Sequence, residues 1–477
     1  MMFIDKRIWM ACAGFVACGL VDGSESRVIS DEEAHEWLVA EEIVKRIKAP
    51  VFAERVYSVE DYGAVADDSK DDSAAVREAI AACSESGGGR VLVTNGTYDV
   101  GPIVLKSNVD LHIAEGATLR FSTDPNDYLP AVFSRWEGME CYNYSPLIYA
   151  FGETNVAVTG KGTLDGQADD DHWWSWKGKS EHGWKEGMPH QKPARDRLTQ
   201  QVARGVPVEE RYYGDGDYLR PNFVQPYNCE NVLIEGVTIV NSPMWEIHPV
   251  LSRNVIVRGV TVVSHGPNND GCNPESCKDV LIEDCVFDTG DDCIAIKSGR
   301  NNDGRRLNVP SENIVVRNCL MKEGHGGVVI GSEISGGCRN VFVENCEMSS
   351  PNLDRAIRIK TNSIRGGLIE NVFVRNLHVG QVKDSVVKVN FHYEEGDVGE
   401  FAPIVRNIVI RNLVSLKSKY PLYIKGYDHT PISNLRIIDS QFEGAQKPSV
   451  LLNVKGLVFD DVRMNSGEKT DQWGNPL

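Results

Sequence analysis

The sequence predicts an all-β fold: a single-domain right-handed parallel β-helix with an N-terminal helical cap. Three observations predict it. A strand phrase recurs through the second half of the chain, apolar and polar residues alternate inside it, and a helix-forming stretch precedes the first coils.

The phrase reads ENVLIEGVTIV, RNVIVRGVTVV, KDVLIEDCVF, ENIVVRNCLM, RNVFVENCEM, ENVFVRNLHV and RNIVIRNLVS. Its second position falls at Asn231, Asn254, Asp279, Asn313, Asn340, Asn371 and Asn407, at spacings of 23, 25, 34, 27, 31 and 36 residues. That period assigns one coil to each repeat, and the longer intervals are coils with enlarged loops. Further coils are read in SNVDLHIAEGATLRF and TNVAVTGKGTLDG upstream, and in NLRIIDSQFEG and GLVFDDVRM downstream.

From the start of the chain, residues 1–26 read as an export signal. Lys6 and Arg7 precede an apolar run, Ile8 to Val21, too short to span a bilayer. The protein is therefore expected to be periplasmic or secreted, and Cys18 in FVAC loosely fits a lipoprotein processing site. Unless lipidated, it is expected to have no stable membrane partner. Residues 27–55 form an N-terminal helical segment in which Ala34, Trp37, Leu38, Ile43, Val44 and Ile47 make an apolar stripe, with acids early and bases late as the helix dipole favours.

The β-helix domain follows over residues 56–477. It opens with a strand, an acidic turn, a helix capped near Asp72, a glycine stop and another strand; the helix is expected to cover the open end of the core. From about 167 to 223 the repeat gives way to an insertion rich in charge and aromatics. Such an insertion is usually a lid or wall. Trp173, Trp174, Trp176 and Trp184 make either a sugar-stacking wall or the insertion's own core.

Of twelve cysteines, Cys12 and Cys18 lie in the signal, while Cys277, Cys285, Cys319 and Cys346 sit in or beside repeat strands as small apolar residues. No CxxC pair or paired-histidine spacing points to a metal, and no cofactor is expected. The net charge of -18 argues against nucleic acid. Arg358, Lys360, Lys297 and Arg300 nevertheless make one face locally basic.

The polar candidates gather between Asn268 and Lys360. Aligning DGCNPES, DDCIAIKS, HGGVVIGS and DRAIRIKT places Asp270, Asp291, His325 and Asp354 in one column, with about 4.8 Å between coils. If Ile294 and Ile296 face the core, alternation turns Ala295, Lys297, Arg358 and Lys360 to solvent. Gly326, Gly327 and Gly331 would leave room for a sugar ring. Trp245 and His248, one coil earlier, either line a subsite or are structural.

These motifs resemble the polygalacturonase family of glycoside hydrolases, family 28, in its bacterial exo-acting form. Its four signatures stand in order as Asn268-Asn269-Asp270, Gly290-Asp291-Asp292, Gly324-His325-Gly326 and Arg358-Ile359-Lys360, with Asn269 in place of the usual threonine. The resemblance implies an inverting hydrolase of α-1,4-galacturonosidic bonds in pectin. It implies Asp291 as general acid, Asp270 and Asp292 as the base pair on one water, and His325 as partner of the acid. Crowding of the carboxylates is expected to keep Asp291 protonated. An inverting pair needs roughly 6.5 to 9.5 Å between carboxyl groups. Arg358 and Lys360 would bind the substrate carboxylate, with Asn268 and Tyr393 as further substrate-binding residues.

The expected partner is an acidic pectic polysaccharide or oligogalacturonide. By analogy with the exo-acting members, the insertion would close one end of the cleft. Rhamnogalacturonan or other pectic oligosaccharides are the alternative substrates. A calcium-dependent pectate lyase or a non-catalytic carbohydrate-binding β-helix are the lesser alternatives.

Overall fold

The computed structural model describes residues 31–466. The chain divides into two compact units, Met1–Val39 and Ala40–Leu477. A helix, Asp31–Arg46, spans the boundary; on it Ala34 and Leu38 are exposed, against the expected stripe, while Trp37 and Ile43 are buried, as is Ile47 just past its end. The export segment, with Cys12 and Cys18, lies outside the described residues.

The recurring phrase forms parallel strands stacked in register, as the period requires. Val232, Val255, Val280, Ile314, Val341, Val372, Ile408 and Leu435 pair successively into one buried column. The second position of the phrase has a backbone reason. Asn231, Asn254, Asp279, Asn313, Asn340, Asn371 and Asn407 all adopt φ between 53 and 59°, the left-handed region that asparagine tolerates better than most residues. Each asparagine amide then reaches back one coil: Asn340 Nδ2 donates to Asn313 Oδ1 at 3.0 Å, and Asn371 to Asn340 at 3.0 Å. The turn and the ladder thus select the same residue.

Asp279 breaks this ladder, because a carboxylate has no N–H to donate to Asn254. The N-terminal segment fills the gap. Lys48 N donates to Asn254 Oδ1 at 2.9 Å, Asn254 Nδ2 donates to Lys48 O at 2.8 Å, and Arg46 pairs with Asp279 at 2.6 Å.

The helix Ser73–Glu85 buries Ala75, Val76, Ala79, Ile80 and Cys83 in the main core at the first coils, as expected of a cap. Asp72 stands at its N-cap position, but its side chain accepts from Val65 N at 3.0 Å; Asp71 takes the first-turn N–H of Ser73 at 3.0 Å. The ten described cysteines are all buried and unpaired, including Cys277, Cys285, Cys319 and Cys346.

A second parallel sheet carries Ile294–Ile296, Val328–Ile330, Arg355–Lys360 and Ser385–Asn390 side by side. Two excursions rise beside it. One is the insertion, with the helix Lys192–Ala203. The other is an antiparallel hairpin, Val132–Trp136 with Met139–Asn143, which the repeat pattern did not announce. Trp136, Leu198, Val202, Met244 and Trp245 share one buried cluster that ties hairpin, insertion and coil together.

Candidate active site

The second sheet fixes the register of the polar residues. Ile294 pairs with Val328, and Val328 with Ile357, so Asp291, His325 and Asp354 stand in one column as expected. Between the first two coils the expected register is off by one. Cys272 pairs with Ile294 and Glu275 with Lys297, so Asp270 lies level with Asp292, not Asp291. The turn before Cys272 is one residue shorter against the strand than the alignment of DGC with DDC assumed. Asp270 and Asp292, the two residues assigned one water by resemblance, are therefore the direct neighbours.

One oxygen from each of Asp270, Asp291 and Asp292 lies within 4.8 Å of the others. That falls short of the separation expected of an inverting pair, so this spacing does not itself indicate the stereochemical course. The three are geometrically able to hold a cation, as are His265, Asp288 and Glu323 nearby. At the aspartate trio, side-chain cations already occupy the surroundings. Lys360 Nζ lies 2.7 Å from Asp292 Oδ2, Arg358 Nη1 3.4 Å from Asp292 Oδ1, and Lys297 Nζ 3.5 Å from Asp270 Oδ2.

These cations point away from the core, as alternation requires, but not into open solvent. Lys297 is 2% exposed and Lys360 7%, and Ala295 is fully buried. The hairpin and the insertion wall the face and turn it into a cleft of about 400 Å³, lined by Asn268, Asp270, Asp291, His325, Arg358, Lys360 and Tyr393 among others.

Burial and the neighbouring Asp291 charge push the Asp270 carboxyl well above its ordinary value. Burial acts the same way on Asp291, but there the hydrogen bond and charge of His325 prevail and hold it below. The crowding thus falls on Asp270, where the expectation had placed it on Asp291. His325 Nδ1 lies 3.0 Å from Asp291 Oδ1, and that bond raises the imidazole to about 9.

Tyr393 stands beside the two cations, its ring centre 5.6 Å from the Arg358 guanidinium and 5.4 Å from Lys360 Nζ. Asn268 lines the cleft but its oxygen is committed, accepting from Lys177 Nζ at 2.6 Å and Arg220 Nη2 at 2.9 Å. Trp245 reaches the cleft beneath Lys297, 4.5 Å from its ring centre. His248 does not: it is fully buried and bound to Glu275 at 2.8 Å.

The glycines serve the coil more than the sugar. A Cβ at Gly327 would stand 2.6 Å from Met348 Sδ, and one at Gly331 2.0 Å from the Lys360 carbonyl. Of the four tryptophans, Trp173 packs edge-on to Tyr128 and Trp176, and Trp176 to Tyr218. Trp173 is buried in the main coil core with Trp174 and Trp176 packed against it, Trp184 stands apart edge-on to His190, and none of the four lines the cleft.

This convergence of three aspartates, a histidine and two cations is the constellation that the four motifs imply. The sequence profile described as Glycosyl hydrolases family 28 matches residues 214–465. The solved structure of a hyperthermoactive exopolygalacturonase from Thermotoga maritima is 48% identical, covers 90% of this chain and 96% of its own, and superposes with a TM-score of 0.88. The chain belongs to glycosyl hydrolase family 28. Among curated relatives, a "probable polygalacturonase" of Vitis vinifera is 27% identical over 84% of this chain and 77% of its own length. An exo-poly-alpha-D-galacturonosidase of Dickeya chrysanthemi is 26% identical over 72% of this chain and 58% of its own length.

Several residues of this family 28 cleft were not singled out by sequence. Glu137 comes from the tip of the missed hairpin, Lys177 and Arg195 from the insertion, and Glu333 from the loop after Ile330. Glu137 pairs with Arg195 at 2.6 Å and Arg300 at 2.9 Å, and Glu333 with Lys297 at 3.1 Å. Only Lys177, one lysine closing a WWSW run, carried a visible sign.

Proposed function

We propose that this chain hydrolyses α-1,4-galacturonosidic bonds of pectin, working from chain ends. The observation that carries the proposal is the meeting of Asp270, Asp291 and Asp292 beneath Arg358 and Lys360 in one walled cleft. An acidic sugar beside the cut gives the two cations a carboxylate to bind, which a neutral sugar does not.

In this reading Asp291 protonates the leaving oxygen. The proton is available although Asp291 itself is held low, because imidazolium with carboxylate carries the same proton count as imidazole with carboxylic acid. His325 and Asp291 act as that store, 3.0 Å apart. Asp292 and Asp270, neighbours in register, face the water. Inversion is what the family resemblance implies. The exo mode rests on the raised walls and on similarity to the Thermotoga and Dickeya enzymes.

Export belongs to the proposal as well, since a pectic polymer is met outside the cell. Among the described residues no helix is long and apolar enough to cross a membrane.

The test is to digest polygalacturonic acid in excess chelator while following product length and the ultraviolet absorbance of unsaturated uronates. Release of monomer or dimer from the first minutes, without that absorbance, is expected. An early ladder of intermediate lengths would refute the exo mode, and chelator-sensitive unsaturated product would refute hydrolysis.

A further inference from the structure

The cations of the cleft fall into two kinds. Lys360 and Lys297 are each within 3.5 Å of a carboxylate oxygen. Lys177 is different: its ammonium donates to the amide oxygen of Asn268 at 2.6 Å, and among the described residues no carboxylate lies within ion-pair distance of it. Behind it stands Arg220, fully buried and likewise without a direct carboxylate. Arg220 donates to the carbonyls of Pro243 and Pro267 at 2.8 and 2.6 Å, to Gln191 at 3.0 Å and to the same Asn268 oxygen. Two neighbouring cations without a directly bound carboxylate, Lys177 half-buried and Arg220 fully buried, are costly to hold together, and an arriving anion relieves that cost.

Lys177 is also held in place. It is the last residue of the turn Trp174–Lys177, whose tryptophans are locked by Tyr144, Tyr218 and the Ser242 carbonyl. Its ammonium lies at the Asp270 end of the cleft, by Asn268, whereas Arg358 and Lys360 enter from coils beyond Asp291.

We propose that Lys177, backed by Arg220, is the anchor for the carboxylate of the sugar on the other side of the scissile bond, and so selects an acidic residue at the chain end. The inference rests on the exo-hydrolase reading above and names a specificity residue for it. It makes recognition two-sided: Arg358 and Lys360 take one uronate and Lys177 takes the next, with the aspartates between. Burial and the Arg220 charge push the Lys177 ammonium down to about 8, and burial pushes Arg220 down to about 10. An incoming carboxylate would reverse both shifts.

The experiment compares wild type, Lys177→Met and Lys177→Arg on trigalacturonate and on trigalacturonate methyl-esterified only at its terminal non-reducing unit. Wild type is expected to favour the free acid by roughly ten- to a hundredfold in kcat/KM, the scale of one charged hydrogen bond. Lys177→Met is expected to reduce that preference to a few-fold, and Lys177→Arg to restore part of it. Thermal denaturation should show Lys177→Met no less stable than wild type, because a half-buried cation beside the Arg220 charge is removed. An unchanged preference in Lys177→Met, or a preference lost together with the fold, would overturn the proposal. Failure of wild type to act on either trimer would instead sink the hydrolase reading itself.

Discussion

Lys360 and Asp292 stand two coils apart in the stack, yet their Nζ and Oδ2 meet at 2.7 Å, with Asp292 fully buried. The pair therefore has two duties. It neutralises one of three crowded carboxylates in the cleft, and it presents a cation to the substrate.

Removing one partner exposes the first duty. Lys360→Met leaves Asp292 buried without its nearest cation, and a loss of about 3–5 kcal/mol of stability is expected. Adding Asp292→Asn should recover much of it. Denaturant titration of the single and double variants checks this; additive losses would show that the two side chains are not coupled. Activity should fall in all of these variants.

Asp270→Asn separates fold from chemistry in the opposite sense. The folded state raises the Asp270 carboxyl above its unfolded value. The stability it contributes is thus fully present below the unfolded value and is lost as pH rises through the folded one. An amide of the same shape removes that loss. Asp270→Asn should be as stable as wild type at acid pH and more stable near neutrality, while kcat drops by about 10²–10⁴. Parallel melting curves and rates decide the matter.

His325 supplies a pH dependence of its own. Its raised value of about 9 means that the pair with Asp291 stabilises fully below the ordinary histidine range and that this contribution fades as pH climbs toward 9. The folded pair itself gives up its proton only around pH 9, so the alkaline limb of kcat should fall there. In Asp291→Asn the imidazole should titrate near its ordinary value, visible in its ring proton shifts by NMR. A histidine still titrating near 9 in that variant would assign the shift to something other than Asp291.

The asparagine ladder predicts an order of substitutions at Asn340. Alanine loses two ladder hydrogen bonds and must hold φ 58°; a cost of about 2–3 kcal/mol follows. Glycine loses the same bonds but is at ease with that backbone, and should cost less. Equal costs would mean that the ladder alone, and not the turn, selects asparagine.

How much of this was legible in the sequence follows from what repeats. The columns from Asn231 to Asn407 were readable because each coil imposes the same backbone need at the same place. So was the column from Asp291 to Asp354, where strands on both sides fix the phase. The step from Asp270 to Asp291 was misread by one residue because it crosses a turn, and turn length carries no period. Depth was the other blind spot. Alternation told that Lys297 and Lys360 point away from the core, but only the hairpin Val132–Asn143 and the insertion make that direction a buried one. The tryptophans of the insertion were ambiguous for the same reason, since a packed core and a binding wall need the same side chains.

Among the described residues the main core holds nine reduced thiols, every one buried. While the stack is closed they are inert filling. Once it opens in an oxidising medium, all become nucleophiles and oxidation targets together, and any wrong bridge or sulfenic acid bars re-entry into a core shaped for bare sulfur. Unfolding there becomes a one-way event, so the working lifetime of this protein is governed by how rarely the stack opens.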